Sequence, residues 1–412
     1  MLMENKSNAQ KQQPLTGVRV LELGSFVAAP LAARILADFG ADVIKVEPPH
    51  RGDELRTWGT MIPTKIGEVS AWWLAQSRNK RLITLDLHRP EGQKLALRLV
   101  EHADIVIENF RLGRLESWHL GYEQMRAVNP RVVFVRISGF GQSGPYRERA
   151  GYGNVGESMG GVRFVTGFPD RPPVRIGVSL GDALAAQQAA FGAMLALRAS
   201  ERDGEGQVVD VAITESVFAL TEAMLTEYMH AGIVRERMGN SMLRAAPSNV
   251  YQTGDGRWLA IGGNGENVFR RLMQAMGQST LAEDERFRDN HARVAHHREL
   301  DEIVGSWVAK LALDEAQTLL DEAGVPAGPV MSIAEIAADK HYQQRGMIAE
   351  VPDERMPDGV TYMSGIVPRL TETPGAIVHS GGELGADNAA IYGEFLGLNK
   401  AELAQLEVEG VI

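Results

Sequence analysis

From Val18 onward, short β-branched runs alternate with Ala/Leu-rich stretches of helical period. Val18–Leu23 reads as a strand and Ala28–Phe39 as a helix, with Pro30 near its start, where proline is tolerated. Val43–Val46, Leu82–Leu87, Ile105–Glu108 and Val132–Ile137 continue the strands, and Glu91–His102 is an amphipathic helix between two of them. Strands alternating with helices imply βαβ units and a largely parallel sheet. Such a sheet places ligands at the carboxyl ends of its strands. Ser25–Ala29, Glu47–Arg51 and Asn109–Arg114 fall there.

Gly151–Arg175 is glycine-rich and reads as irregular. An Ala-rich helix follows at about Gly181–Arg198, with Leu184, Phe191 and Leu195 on one side; its alanines predict close packing against another element. Gln207–Ala212 reads as a strand and Glu215–Ala231 as a helix. Beyond about residue 230 the pattern changes. Met238–Ser248 is a loop, and Val250–Thr253 and Trp258–Gly262 form a hairpin around Gly254-Asp255-Gly256. Charged helices run to about Ala323, with a strand at Val325–Met331 and a helix at Ala334–Arg345. The expected fold class is α/β: a Rossmann-like large domain over 15–229, a smaller α+β domain over 230–330, and a C-terminal return over 331–412. Residues 1–14 are polar, lack the apolar core of a secretory signal, and are expected to be a flexible tail.

Composition narrows the chemistry. The 412 residues include no cysteine, which excludes disulfides, thiolate zinc sites and a thiol nucleophile and fits a reducing cytoplasm. A net charge of −11 argues against nucleic acid as a partner, and no apolar run is long enough to cross a bilayer. An anionic ligand must be held locally, by a few cations and main-chain N–H groups. His291, His296 and His297 sit in a charged helix without metal-ligand spacing, so no metal is expected. No GxSxG elbow or P-loop occurs.

Three signals carry chemistry. Asp182, in Val178-Ser179-Leu180-Gly181-Asp182, stands where a glycine-rich loop becomes a helix. It serves there either as a cap for free N–H groups or as a nucleophile kept ionised by the helix dipole. Gly262-Gly263-Asn264-Gly265 is either an ordinary helix entry or a lid that excludes water. Arg78-Asn79-Lys80-Arg81, with Arg111 and Arg114, either binds phosphate or solvates a surface. Residue chemistry alone reaches an α/β enzyme with an anionic ligand.

Six segments, in this order and spacing, resemble the family III CoA-transferases, the group of formyl-CoA transferase and carnitine CoA-transferase. They are LTGVRVLELGSFVAAP, GADVIKVEPP..GD, RNKRLITLDL, IVIENF, PVRIGVSLGDALAA and GQVVDVAITES. Weaker echoes, GVPAGPV and FLGLNKAELAQL, carry the likeness almost to the C-terminus. The resemblance implies an interlocked homodimer, a coenzyme A thioester as substrate with no permanently bound cofactor, and Asp182 as the group that attacks it. It implies CoA contacts at Val27 and Ala28, at Leu85 to His88, at Asn109, Phe110 and Arg111, and at Ala150 to Gly153 with Tyr152 between. It assigns the lid role to Gly262, Gly263, Asn264 and Gly265. The family's best-known member has glutamine at Val27, a basic residue at Pro48 and lysine at Ala150, so His50, Arg51, Arg111 and Arg149 are the replacement candidates for phosphate.

The fold and the aspartate are shared by α-methylacyl-CoA racemases, which need a histidine where this chain has Tyr152, thirty residues before Asp182. A tyrosine, ordinarily titrating near pH 10, is a poor base at neutral pH, so transfer is expected over racemisation. A non-catalytic CoA-binding protein is the remaining alternative. The stretch Thr57–Asn79 looks like the branch acting on short dicarboxylates, with succinyl-CoA as donor; Arg163, Arg244 and Asn264 are the candidates for a second carboxylate.

Overall fold

A computed structural model describes residues 11–412. Of the tail expected at 1–14, residues 1–10 lie outside the described residues. Gln13 instead packs beside Gly40 and donates to the Asp38 carbonyl at 3.4 Å.

The chain divides into two compact units. The first runs to Val162 and adds Ile176–Glu222 and Gln343–Ile412. Its centre is a six-stranded sheet, β1 (Arg19–Glu22), β2 (Asp42–Glu47), β3 (Lys80–Thr84), β4 (Ile105–Glu108), β5 (Val133–Ser138) and β6 (Val208–Ala212). Every neighbouring pair is parallel, in the order β3-β2-β1-β4-β5-β6. This is the Rossmann order, with its topological switch between β1 and β4.

Both faces of the sheet are covered, which explains strands that read as nearly continuous apolar runs. On one face Val20, Val43, Ile107 and Val135 pack against the helices Ala28–Asp38 and Leu180–Asp203. On the other, Leu21, Ile44, Val106 and Phe134 meet the Pro90–Val100 helix and the C-terminal helices Asn388–Leu396 and Lys400–Val408. The Leu180–Asp203 helix turns Ala185, Ala186, Ala189, Ala193 and Ala196 inward. With only methyl groups between, helix and sheet approach closely, as the alanine pattern predicts. The opposite side carries Phe191 and Leu195, both exposed.

The second unit comprises Arg163–Arg175 and Ala223–Tyr342. Its antiparallel sheet has Trp258–Gly262 between Ser248–Gln252 and Ala327–Pro329. Leu259, Ile261, Phe269, Leu272, Val304 and Leu320 build its core.

Several expected elements differ. Glu215–Ala231 is not one helix but two, Ile213–Phe218 and Met224–Ala231, with Glu222 between them at φ 50°. Ala334–Arg345 breaks at Asp339, whose backbone is extended and whose carboxylate accepts from Tyr342 N. Gly151–Arg175 contains two short helices, Gly153–Met159 and Val162–Val165. Two further hairpins are present, Met61–Thr64/Gly67–Ser70, which lacks a strong turn dipeptide, and Ile348–Pro352/Val360–Ser364, which carries Asp358-Gly359 ahead of its second strand.

Ala189 is fully buried in the alanine seam. Ala189→Leu overfills it and is expected to lower stability by about 1–3 kcal/mol, read as a reduced denaturation midpoint; an unchanged midpoint contradicts this packing.

Candidate active site

Asp182 lies in the first turn of the 24-residue helix Leu180–Asp203, whose N-cap residue Ser179 makes no side-chain cap. The dipole of a helix this long favours the ionised carboxylate at that end. The side chain is half-buried. A second helix start, at Gly153, is pressed against it. A methyl group built on Gly153 would overlap the Asp182 carboxylate, and one on Gly181 would lie 2.7 Å from the Gly153 carbonyl oxygen. Two glycines therefore let two helix starts meet, with the carboxylate against bare backbone. Glu157, on the same short helix and buried, accepts a bond from Gly181 N at 3.3 Å. Tyr152 caps the Gly153–Met159 helix through its backbone and leaves its side chain in solvent.

The switch point of the sheet holds the next group. Asn109, just beyond β4, accepts from Ser25 N at 2.9 Å and donates to Ser25 O at 2.8 Å, tying the loop after β1 to the loop after β4. Phe26 stands at φ 69°, and Val27 and Ala28 are buried as the next helix begins. Phe110 and His88 each meet the Trp118 ring edge-on, at 5.3 and 4.5 Å, and His88 Nδ1 lies 2.9 Å from Asp86. Leu85 is a core side chain, so only its main chain is available to a ligand. Arg111 and Ala150 are exposed.

Beneath the β1 loop is an ion network that is buried apart from its partly exposed Arg56. The Glu22 carboxylate spans Lys45 Nζ at 2.8 Å and Lys80 Nζ at 2.7 Å. Lys45 also meets Asp53 at 2.7 Å, while Glu47 accepts from Arg56 Nε and Nη2, along one edge of the guanidinium, at 2.7 and 2.8 Å. Burial works against the Lys45 charge, but Asp53, Glu22 and Glu47 outweigh it and push its pKa above the ordinary value. Burial likewise works to raise Asp53, and is overcome by Lys45 and the Leu55 and Phe26 N–H groups, which hold it below the usual range. At Lys80 burial wins over Glu22 and lowers the ammonium to about 8.

This corrects the phosphate reading of the basic run. Arg78 is buried on Asp38, at 2.9 and 2.6 Å; Asn79 donates to Asp38 and Ala376; Lys80 belongs to the ion network; Arg81 pairs with Asp42 and Glu394. All four cations or amides are spent inside the chain. The β-branched run at Val43–Val46 predicts a strand, but does not show that Lys45 and Glu47 are buried along with its apolar residues.

In the second unit, Gly262 N donates to Pro326 O and Gly263 N to Pro247 O, each at 2.9 Å, and Arg293 Nη2 donates to Asn264 O at 2.9 Å. Gly265 then caps the Glu266–Ala275 helix. Arg293, fully buried, also bonds Ala246 O, Phe287 O and Glu266. Sequence reasoning passed over it as part of a charged helix; no periodicity distinguishes it there. His296 and His297 turn Nδ1 to main-chain carbonyls. Among the described residues no cluster of potential metal ligands occurs, and no helix is long and apolar enough to cross a membrane.

Comparison with known proteins shows the family. Residues 15–388 match the model of CoA-transferase family III. The chain is 49% identical over 406 residues to succinyl-CoA–D-citramalate CoA-transferase of Chloroflexus aurantiacus, covering 98% of this chain and all of that one. It is 37% identical to succinate–glutarate CoA-transferase of Agrobacterium fabrum, over 93% of this chain and 96% of the relative. A CAIB/BAIF family protein from Brucella suis superposes with a TM-score of 0.84 at 36% identity, covering 93% of this chain and 100% of that structure.

Gly153→Ala cannot be accommodated without displacing the Asp182 carboxylate. It is expected to leave the circular dichroism spectrum unchanged and to lower any activity running through Asp182 by about 100-fold. Full activity in that variant contradicts the geometry.

Proposed function

Because the chain belongs to CoA-transferase family III, we propose that it moves coenzyme A from succinyl-CoA to a short dicarboxylic acid through covalent adducts on Asp182. The observation that carries the assignment to Asp182 is its carboxylate at a helix start, with Gly153 leaving one side open to bare backbone. The carboxylate attacks the thioester carbonyl, the C–S bond breaks, and CoA thiolate leaves a mixed aspartyl anhydride. The thiolate then attacks the aspartyl carbonyl, releasing succinate and leaving an aspartyl-CoA thioester. The acceptor carboxylate opens that thioester to a second anhydride. CoA thiolate finally attacks the acceptor's acyl carbon and restores Asp182. Each step exchanges one acyl bond for another, so the site must supply position and exclusion of water rather than a large driving force.

The relatives' substrates support a dicarboxylate acceptor: one is named for citramalate and another for glutarate. The switch-point residues Val27, Ala28, Asn109 and Phe110, with His88 and Tyr152, are proposed to meet CoA. The loop Gly262–Gly265 enters only through its sequence pattern, as the candidate for shielding the adducts from water. A homodimer completes the proposal. Phe191 and Leu195 are 62% and 58% exposed, and the Met224–Ala231 helix buries none of its residues although it carries Leu225, Tyr228 and Met229. Apolar faces of this kind are ordinarily covered by a partner.

Donor-by-acceptor assays read by mass spectrometry are expected to show transfer from succinyl-CoA to citramalate-like diacids, faster than from formyl-CoA or from a monocarboxylyl-CoA. Equal rates with monocarboxylyl donors contradict the dicarboxylate assignment, and α-proton exchange into heavy water without transfer identifies a racemase instead. Light scattering is expected to give the mass of two chains; the mass of one chain contradicts the dimer.

A further inference from the structure

The buried ion network makes three contacts that its own charge balance does not require. Lys45 Nζ donates to Gly24 O at 3.1 Å, the Asp53 carboxylate accepts from Phe26 N at 3.2 Å, and Lys80 Nζ donates to Pro30 O at 2.8 Å. Two end on the main chain of the segment that links β1 to the Ala28–Asp38 helix, and the third ends on the first turn of that helix. The middle contact falls on Phe26, whose φ of 69° is a left-handed conformation that a bulky aromatic residue rarely adopts. A fourth support comes from Asn109, which takes both polar groups of the Ser25 backbone.

Burying ionised side chains is costly, and an apolar replacement of similar volume is often as stable or more so. The network is thus poor value as a source of stability alone. Its geometry has another use. Lys45, Asp53 and Lys80 come from β2, the loop after β2, and β3, and each fixes a different peptide group of one short segment. Glu22 in turn grips both lysine side chains, and Glu47, itself paired with Arg56, accepts from the Asp53 main-chain N–H at 2.9 Å.

We infer that Asp53, Lys45 and Lys80 are positioning residues that hold the Gly24–Pro30 main chain in the shape that receives coenzyme A. They act through that segment, without touching the ligand. The inference rests on the proposal that Val27 and Ala28 meet CoA, and it adds the groups that set their position.

The test compares the full-length protein with Asp53→Asn, which keeps the side-chain shape but removes the charge facing Lys45, and with Lys80→Met, which releases only the Pro30 end. Affinity for free CoA is measured by calorimetry, and KM for donor, KM for acceptor and kcat are measured in parallel. The expected result for Asp53→Asn is at least a tenfold weaker CoA affinity and a matching rise in donor KM, with acceptor KM and kcat at saturating donor within twofold. Lys80→Met should show the same pattern to a smaller degree. Unchanged CoA affinity in folded variants overturns the inference, as does loss of active protein with unchanged KM, and so does failure of both variants to fold, since each makes the network a stability element only. If the parent protein binds CoA but transfers none, the functional proposal fails while the affinity comparison still decides this one.

Discussion

The Asp182 carboxylate can stand where it does only because nothing projects from Gly153. That contact brings the starts of two helices together, and it needs a second glycine, Gly181, whose α-carbon passes the Gly153 carbonyl. The rest of the first unit secures this approach. The Leu180–Asp203 helix lies close on the sheet because alanines line its inner side, and Glu157 fixes the Gly181 peptide from the neighbouring helix. The capping role first suggested for Asp182 and the role of nucleophile are compatible. A helix start that keeps a carboxylate ionised also aims it.

Charge is distributed unusually for a chain of net charge −11. Three carboxylates and three cations of the ion network are withdrawn below the β1 loop, and Arg78 and Arg293 are buried elsewhere on carboxylate and carbonyl oxygens. Of the phosphate candidates, Arg78 and Lys80 are thus committed inside the chain, whereas His50, Arg51 and Arg149 are exposed. Arg111 remains outside these arrangements as an exposed candidate beside Asn109.

Much of the fold was legible in the sequence because its strands are β-branched and its helices periodic. The parallel sheet, the alanine-rich helix and the second unit's hairpin all follow from such local pattern. Elements without it escaped: the hairpin at Met61–Ser70, and the breaks at Glu222 and Asp339, which turn on single backbone conformations. The site was legible unevenly. Asp182 and the glycine at 153 stand in recognisable segments, but Lys45, Glu47 and Asp53 look like ordinary strand and loop charges, and Lys80 like part of a solvated basic run. Their partners lie on neighbouring strands, so no local pattern reports them. Arg293 was hidden in the same way, on the short helix Asn290–Ala295.

The most direct measurement is peptide mass spectrometry after incubation with succinyl-CoA and quenching with hydroxylamine. Activated acyl groups on a carboxylate are captured as a hydroxamate, so the account predicts that modification on Asp182 in the parent protein and none in Asp182→Ala, which also loses transfer. Continued transfer by Asp182→Ala, or an unmodified Asp182 in a parent protein that is turning over, would contradict it.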